Sequence, residues 1–229
     1  FLPQSFFSDE DGNIYAQTDD CVLLIGADGE RAYELIPESN SEVAGIAMSG
    51  GGEACVLIHE KLKSVYTVYR LNPDGSLGGG LFEMPEAQIP PQLFNGGTSF
   101  DLLYSDYDEL YAIDTENKSA EPLFEWVTHG LTGPFVFDVW DMSGRVLICR
   151  NYTNELISFQ EGAEDPRTVL RLAIYGESFI LPQIISEFNM NSDTYKIVVE
   201  DYARYDEGVD GAGLMKLNTE IQAGKIPDM

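Results

Sequence analysis

The sequence predicts a mainly β protein, in which propeller-like repeats of antiparallel blades precede a truncated βαβα segment. Two observations carry the first part: short apolar runs recur between turn signals, and the turns repeat at about 40–45 residues. A switch from strand-like to helical periodicity carries the second. We therefore divide the chain into a repeat region of about four blade units, residues 1–166, and the start of a second domain, residues 167–229.

The first set of turns gives the period. Their third positions are spaced 46, 42 and 45 residues apart, and the turns themselves are Ala27-Asp-Gly29, Pro73-Asp-Gly75, Thr115-Glu-Asn117 and Gln160-Glu-Gly162. One propeller blade is a small antiparallel sheet of about this length. A β-sandwich is the competing interpretation, but its turns recur at shorter intervals. The long period favours blades that stack around an axis.

A second set of turns precedes an aliphatic strand each time. Its members are Asp11-Gly12, Gly51-Gly52, Tyr107-Asp108 and Ser143-Gly144. Each unit is thus strand, tight turn, strand. Because Phe1 already lies at the edge of a unit, we expect further blades upstream of this chain. Trp126, Trp140 and the tyrosines of the repeats could line a binding face at the axis, although packing inside the blades is their ordinary role.

Charge excludes some partners. The chain has 13 basic and 39 acidic residues, a net charge of −26. Such a surface repels phosphate backbones and anionic lipid headgroups. We expect no nucleic-acid partner and no membrane binding through basic residues.

The tail follows a regular element order. Thr168–Tyr175 and Tyr195–Tyr202 are predicted strands, and residues 178–188 and 211–223 are predicted helices. The first helix has one apolar face, formed by Leu181, Ile184, Ile185 and Phe188. A parallel sheet of this kind needs further strands, and the chain stops where the third should begin. We therefore expect the chain to be a fragment.

Several pieces of this tail share their order and spacing with a known family: Ile185-Ser-Glu-Phe-Asn189, Tyr195-Lys-Ile-Val-Val-Glu-Asp-Tyr202, Gly213–Ile221 and Ala223-Gly-Lys-Ile-Pro-Asp-Met229. The tail resembles the N-terminal lobe of extracellular solute-binding proteins of family 1, the sugar receptors of ABC importers. The repeats, with stretches such as Phe100-Asp-Leu-Leu-Tyr-Ser105, look like the propeller-like region fused to such domains in some gut Firmicutes proteins.

The resemblance implies a function without catalysis and without a cofactor. A two-lobed receptor of this family closes on a solute, usually a carbohydrate, and presents it to an ABC permease. It implies an extracellular lipoprotein, with a lipid anchor outside this chain. The second lobe and most of the cleft are absent, so we do not expect this chain alone to bind sugar as the family does.

Five residues are the candidate ligand contacts. Ligands of open α/β sheets bind at the C-terminal ends of the strands. The loops that follow the two strands contain three tyrosines that could stack on a sugar and one carboxylate, and the final turn contributes another: Tyr175, Glu177, Tyr202, Tyr205 and Asp228.

No metal or disulfide site is predicted. His59 and His129 lack partners at ligand spacing, and three cysteines without a CxxC pattern argue for buried thiols: Cys21, Cys55 and Cys149. Two functional alternatives stay open. The repeats could bind protein or glycan at the cell surface without a transport role, or they could form an enzyme, which only the acidic surplus favours.

Overall fold

The computed structural model describes residues 5–18, 21–85, 90–106, 108–126, 131, 136–143, 146–151, 156–160, 166–176, 180–206 and 209–229. The chain divides into two compact units. The first contains residues 1–123 and 133–161, and the second contains residues 124–132 and 162–229.

Four antiparallel sheets build the first unit, and in each of them the strands are hydrogen-bonded in chain order. Three sheets have four strands each: β1 (Ser5–Ser8), β2 (Ile14–Gln17), β3 (Val22–Ile25) and β4 (Arg31–Leu35); β5 (Ser41–Met48), β6 (Ala54–Glu60), β7 (Val65–Leu71) and β8 (Leu77–Pro85); β9 (Gln92–Asn95), β10 (Leu102–Ser105), β11 (Glu109–Asp114) and β12 (Ser119–Glu125). The described part of the fourth sheet has three: β13 (Val136–Asp141), β14 (Val146–Asn151) and β15 (Leu156–Gln160).

The first strands of the sheets lie next to one another. β1 contacts β5, β5 contacts β9, and β9 contacts β13. Since each sheet then runs outward in chain order, the sheets form a four-blade propeller arrangement, and the protein is mainly β. The predicted β-propeller repeat is confirmed.

The first set of turns joins the third strand of a sheet to its fourth. Asp28-Gly29 lies between β3 and β4, Asp74-Gly75 between β7 and β8, and Asn117 between β11 and β12. Gly75 has a φ of 79°, a conformation that a residue with a Cβ rarely adopts. Gly162, the last member of the set, lies outside the described residues.

One turn of the second set joins a different pair of strands from the others. Asp11-Gly12 and Gly51-Gly52 do join first strands to second strands, but Asp108 lies between the second and third strands of its sheet. The equivalent turn of that sheet contains Gly96-Gly97. Both connections contain aspartate, a common turn residue, so composition alone did not separate them.

The β6 strand shows why strands of the blades contain continuous runs of apolar residues. Cys55 and Leu57 pack into a cluster shared with the third sheet, while Val56 and Ile58 pack into one shared with the first sheet. Because side chains alternate between the faces of a strand, a sheet buried on both faces needs apolar residues at every position.

The second unit contains the predicted βαβα elements. These are β16 (Thr168–Ile174), α1 (Leu181–Asn191), β17 (Tyr195–Asp201), a 3-10 helix (Tyr202–Tyr205) and α2 (Ala212–Gln222). β16 and β17 pair in parallel. The end of the chain lies beside β16, where Asp228 N–H donates to Arg171 O at 2.9 Å and Ala173 N–H donates to Met229 O at 3.1 Å.

The face that α1 buries differs from the predicted one. Ile185 is buried as expected, but Ile184 and Phe188 are exposed, and Asn189 is buried instead. The Asn189 side chain accepts from Ile197 N–H at 2.7 Å and donates to Ile197 O at 2.8 Å. This pair of hydrogen bonds fixes the helix to β17 through a polar residue, which hydrophobic periodicity does not detect.

Candidate functional site

A cavity of about 240 Å³ lies where the first strands of the four sheets meet. We call it the axial cavity. Its lining comes from β1, β5, β9 and β13 with one residue of β2, and consists of Ser5, Phe6, Phe7, Gln17, Ala44, Gly45, Ile46, Gln92, Leu93, Phe94, Asn95, Phe137, Asp138, Val139 and Trp140.

Two of the lining strands carry a bulge at the cavity. The register of β5 shifts between Val43 and Gly45, and that of β13 shifts between Val136 and Asp138. A Cβ on Gly45 would lie 3.4 Å from Leu93 Cβ, so glycine permits the close approach of β5 to β9. Bulges re-aim side chains and are frequent beside functional sites. Here they fall on residues that line the cavity.

Most polar side chains that line the cavity form hydrogen bonds with neighbouring residues. Ser5 Oγ donates to Gln17 Oε1 at 3.0 Å, and Asn95 Oδ1 accepts from Met48 N–H at 2.7 Å. Gln92 is the exception. Its Oε1 is the only buried side-chain nitrogen or oxygen atom without a hydrogen-bond partner in the part of the chain that the structure describes. A buried acceptor left without a donor is costly, so a ligand donor that paired with it would add affinity.

Asp138 and Phe137 share an arginine partner. Arg150 Nε donates to Asp138 Oδ2 at 2.6 Å, and its guanidinium carbon lies 5.6 Å from the centre of the Phe137 ring. The arginine comes from β14, the strand next to β13. It therefore orders one wall of the cavity and balances the only carboxylate among the described lining residues.

Aromatic side chains in the lining leave area available for contact. Phe6 is 71% exposed, Phe137 47% and Trp140 40%, whereas Phe94 is buried. Exposed aromatic groups around a concave site are typical of binding surfaces. The sequence had suggested Trp126 and Trp140 for such a face; Trp140 lines the cavity, and Trp126 is fully buried in the second unit.

The sequence-predicted ligand residues lie in the second unit, and three of them gather at the C-terminal ends of its strands. Tyr175 donates from its hydroxyl to Asp206, which also accepts from Gly213 N–H at 2.6 Å. Tyr202 is buried and donates to Glu220 Oε2 at 2.6 Å, which together with burial raises the pKa of Tyr202.

Tyr205 lies next to Tyr202: the two ring centres are 5.8 Å apart, and Lys216 Nζ lies 4.4 Å from the centre of the Tyr205 ring. The remaining predicted residue that the structure describes lies elsewhere. Asp228 Oδ2 accepts from Arg171 N–H at 2.8 Å, in the middle of β16 and away from the strand ends. Glu177 lies outside the described residues. The structure thus brings together Tyr175, Tyr202 and Tyr205, and their role as ligand contacts stays a prediction.

His59 and the cysteines lie in the described part of the chain, whereas His129 lies outside it. The His59 ring stacks on Tyr66 with centres 4.4 Å apart, and its Nδ1 lies 3.1 Å from Glu42 Oε1. All three cysteines are buried and free. Among the described residues, no three His, Cys, Asp or Glu side chains are placed to hold a metal ion, and no helix is long and apolar enough to cross a membrane.

Comparison with known proteins finds likeness only among solved structures; no protein-family model and no curated protein matches the chain. Virginiamycin B lyase from Staphylococcus aureus is 15% identical with a TM-score of 0.45, over 70% of this chain and 56% of the lyase. The WD40 domain of Pan2 from Neurospora crassa is 15% identical with a TM-score of 0.44, over 68% of this chain and 46% of that one.

A third similar structure is the calcium-binding protein regucalcin from Agrobacterium tumefaciens, 13% identical with a TM-score of 0.43, over 70% of this chain and 60% of that one. The chain therefore spans about half to three-fifths of the length of these proteins. At such identities and TM-scores the likeness carries no argument about activity.

These findings correct the family assignment made from the tail. No solute-binding family matches, and the similar structures are β-propeller proteins. Residues 167–229 do form βαβα elements, but their assignment to the lobe of a sugar receptor is wrong, and with it the ABC-importer role and the assignment of carbohydrate binding. The permease partner stays a prediction. The error has a physical reason: the motifs that suggested the family are apolar strand and helix-end patterns, which any parallel β-α-β unit needs.

Proposed function

We propose that the four-sheet unit is a protein-binding module without a transport role, and that it holds its partner at the axial cavity. One observation carries the proposal. The first strands of four sheets meet around a single cavity that combines exposed aromatic rings with an unpartnered carboxamide oxygen, Gln92 Oε1.

The chemistry of the lining suits a partner side chain or loop that is partly apolar and carries a hydrogen-bond donor. Phe6, Phe137 and Trp140 offer area for contact, and large aromatic groups supply much of the affinity of protein interfaces. The Gln92 carboxamide would fix orientation, because a donor from the partner would satisfy its oxygen.

Charge favours a basic partner. The net charge of the chain is −26, and the part of the cavity lining that the structure describes contains neither lysine nor arginine. A negative surface speeds the approach of a positively charged protein and disfavours nucleic acids. Cationic groups are abundant on proteins, which is why we favour a protein over a glycan.

We also propose that the module lies at the cell surface, attached by a lipid anchor outside these 229 residues. Its role there is to bind a partner, without catalysis. Surface labelling of intact cells tests the location: labelling of this protein only after lysis would contradict it.

Selection of peptides from a random display library tests the binding. We expect selected peptides to bind the wild-type chain and to lose about tenfold or more in affinity for the double variant Gln92→Leu/Trp140→Ala. The control, Gln222→Leu/Phe188→Ala, removes the same kinds of group from exposed positions of the second unit and should bind like the wild type. Equal binding to all three chains would contradict the proposal. Glycans that bind the cavity where peptides do not would replace the protein partner.

A further inference from the structure

The size of the axial cavity favours a single side chain as its occupant. Its volume of about 240 Å³ is smaller than the roughly 300–1,000 Å³ of sites that enclose a drug-sized molecule. A protein that binds there can therefore insert one residue, and the lining restricts which residue that is.

Two acceptors in the lining can receive hydrogen bonds from an inserted side chain. Gln92 Oε1, on β9, is buried and has no partner in the part of the chain that the structure describes. Asp138, on β13, pairs with Arg150 through one oxygen, Oδ2, in both contacts between the two side chains. Because a carboxylate has two oxygens that accept from different directions, Oδ1 can pair with a further donor. A side chain that satisfied both acceptors would need at least two donors.

The exposed rings of the cavity favour a cation. Phe6, Phe137 and Trp140 line the cavity and are each at least 40% exposed. The face of an aromatic ring carries negative charge density and attracts a positive group. The described lining contains neither lysine nor arginine, and the chain as a whole has a charge of −26. A positively charged side chain is therefore preferred over a neutral one.

Arg150 shows how one wall of the cavity binds a guanidinium group. Its Nε donates to Asp138 Oδ2 at 2.6 Å, and its guanidinium carbon lies 5.6 Å from the centre of the Phe137 ring. A carboxylate oxygen and a ring face thus act together on one arginine of the chain itself. Asp138 Oδ1 and the Trp140 ring offer the same two kinds of contact to another.

We propose that the axial cavity receives an arginine side chain of the partner protein. The inference rests on the proposed binding of a protein at this cavity, and it names the residue that the cavity recognises. The guanidinium group of that arginine donates to Gln92 Oε1 and to Asp138 Oδ1 and stacks on the exposed ring of Trp140. Each of these groups lies on a described strand, β9 or β13.

Geometry selects arginine over lysine. A guanidinium group is planar, carries five N–H donors in a fixed arrangement and stacks on aromatic faces. It is also more weakly hydrated than an ammonium group, so less is lost when it leaves water. Lysine supplies the charge, but its compact ammonium group cannot lie flat on a ring.

The probe is acetyl-arginine N-methylamide, titrated into the full chain and followed through the NMR signal of the Trp140 indole N–H. Loss of that signal in Trp140→Phe identifies it. We expect saturable binding with a Kd of about 1 mM for a ligand of this size. The corresponding lysine compound keeps the charge, and the citrulline compound keeps the shape without the charge. Each should bind about fivefold more weakly or worse.

One variant separates the cavity from general attraction to an acidic surface. Gln92→Leu removes the unpartnered acceptor and should weaken binding of the arginine probe about fivefold or more. Gln222→Leu, the identical change at an exposed position of α2, should bind like the wild type. Attraction to surface charge alone would bind the arginine and lysine probes equally and would be insensitive to both variants.

Three results would overturn the proposal: no saturable shift of the Trp140 signal, equal affinity for the arginine and lysine probes, or equal affinity of Gln92→Leu and Gln222→Leu. The peptides from the display library distinguish this failure from failure of the cavity itself. Peptides that depend on Gln92 and Trp140 but contain no arginine would leave a protein-binding site and remove the arginine. If no peptide depended on the cavity, the protein partner and its arginine would both be contradicted.

Discussion

Asp141, at the end of β13, accepts a hydrogen bond of 2.8 Å from the backbone N–H of Ser99, in the turn between β9 and β10. The same carboxylate oxygen, Oδ2, accepts from Thr98 N–H at 3.1 Å. One side chain of the fourth sheet thus satisfies two backbone donors of the third. Carboxylates that accept from backbone N–H groups are among the stronger hydrogen-bonding groups in proteins.

Asp141→Ala should therefore lower the free energy of unfolding by about 0.5–1.5 kcal/mol, because water can replace the lost acceptor at the two exposed N–H groups. Asp141→Asn keeps a carbonyl oxygen at the site and should lose less. Urea unfolding of both variants measures the difference, with the exposed Glu116→Ala as control. A stability of Asp141→Ala equal to that of Glu116→Ala would show that the contact does not couple the sheets.

Glu60 predicts a pH dependence. Hydrogen bonds from Lys63 and from the hydroxyl of Tyr69 lower the pKa of Glu60 from 4.5 to about 2. The unfolded chain therefore takes up this proton first as the pH falls. The stabilising contribution of the Glu60 carboxylate is complete above about pH 4.5 and is lost as the pH falls from there to 2.

The difference in unfolding free energy between the wild type and Glu60→Gln isolates this contribution. We expect the wild type to be more stable at pH 7 and the two chains to converge as the pH approaches 2. Glu116→Gln, at an exposed turn, should follow the wild type throughout. A difference that stays constant with pH would mean that Glu60 acts through packing and not through its charge.

Gly213 allows α2 to approach the 3-10 helix. A Cβ placed on Gly213 would lie 1.8 Å from the carbonyl oxygen of Tyr202. Gly213→Ala must therefore displace α2, and we expect faster hydrogen exchange at the amides of α2 and the 3-10 helix. Gly79→Ala, where nothing lies within 4 Å of the added Cβ, is the matched change and should leave exchange unaltered. Unchanged exchange in Gly213→Ala would contradict the close approach.

The buried thiols should be unreactive in the folded protein. Burial raises the pKa of Cys55 and that of Cys149 to about 12. Because the thiolate is the nucleophile, iodoacetamide at pH 8 should leave both unmodified until urea unfolds the chain. Mass spectrometry of the alkylated protein gives the count. Modification of Cys55 in native buffer would show that β6 opens far more readily than its packing implies.

The blades could be predicted because their turns and strands each depend on residues that are close together in the sequence. A turn between two strands needs Gly, Asp or Asn at particular positions, and a strand buried on both faces, such as β6, needs apolar residues throughout. These requirements appear directly in the sequence of Asp28-Gly29, Asp74-Gly75 and Ala54–Glu60. The elements of the tail were predicted for the same reason.

The axial cavity could not be predicted in this way. Gln92 and Asp138 come together only when four sheets place their first strands side by side, and neither residue stands out by spacing or motif. The bulge before Asp138 leaves no reliable mark in the sequence either. The burial of Asn189 was not predicted either. Its hydrogen bonds are satisfied across the contact between helix and strand, but a hydrophobicity pattern treats any asparagine as a surface residue.

The chain-order pairing of the blades has a kinetic consequence. Every strand of the four sheets is bonded to its neighbour in sequence, so each ladder closes only a short loop and loses little chain entropy when it forms. The strands of a blade can pair soon after its last strand leaves the ribosome, although their packing is complete only when the neighbouring blades are present. The β16–β17 pair cannot, because α1 intervenes and must be synthesised and packed before the two strands meet. Translation therefore delivers the pairing partners within each blade earlier than it delivers those of the parallel pair.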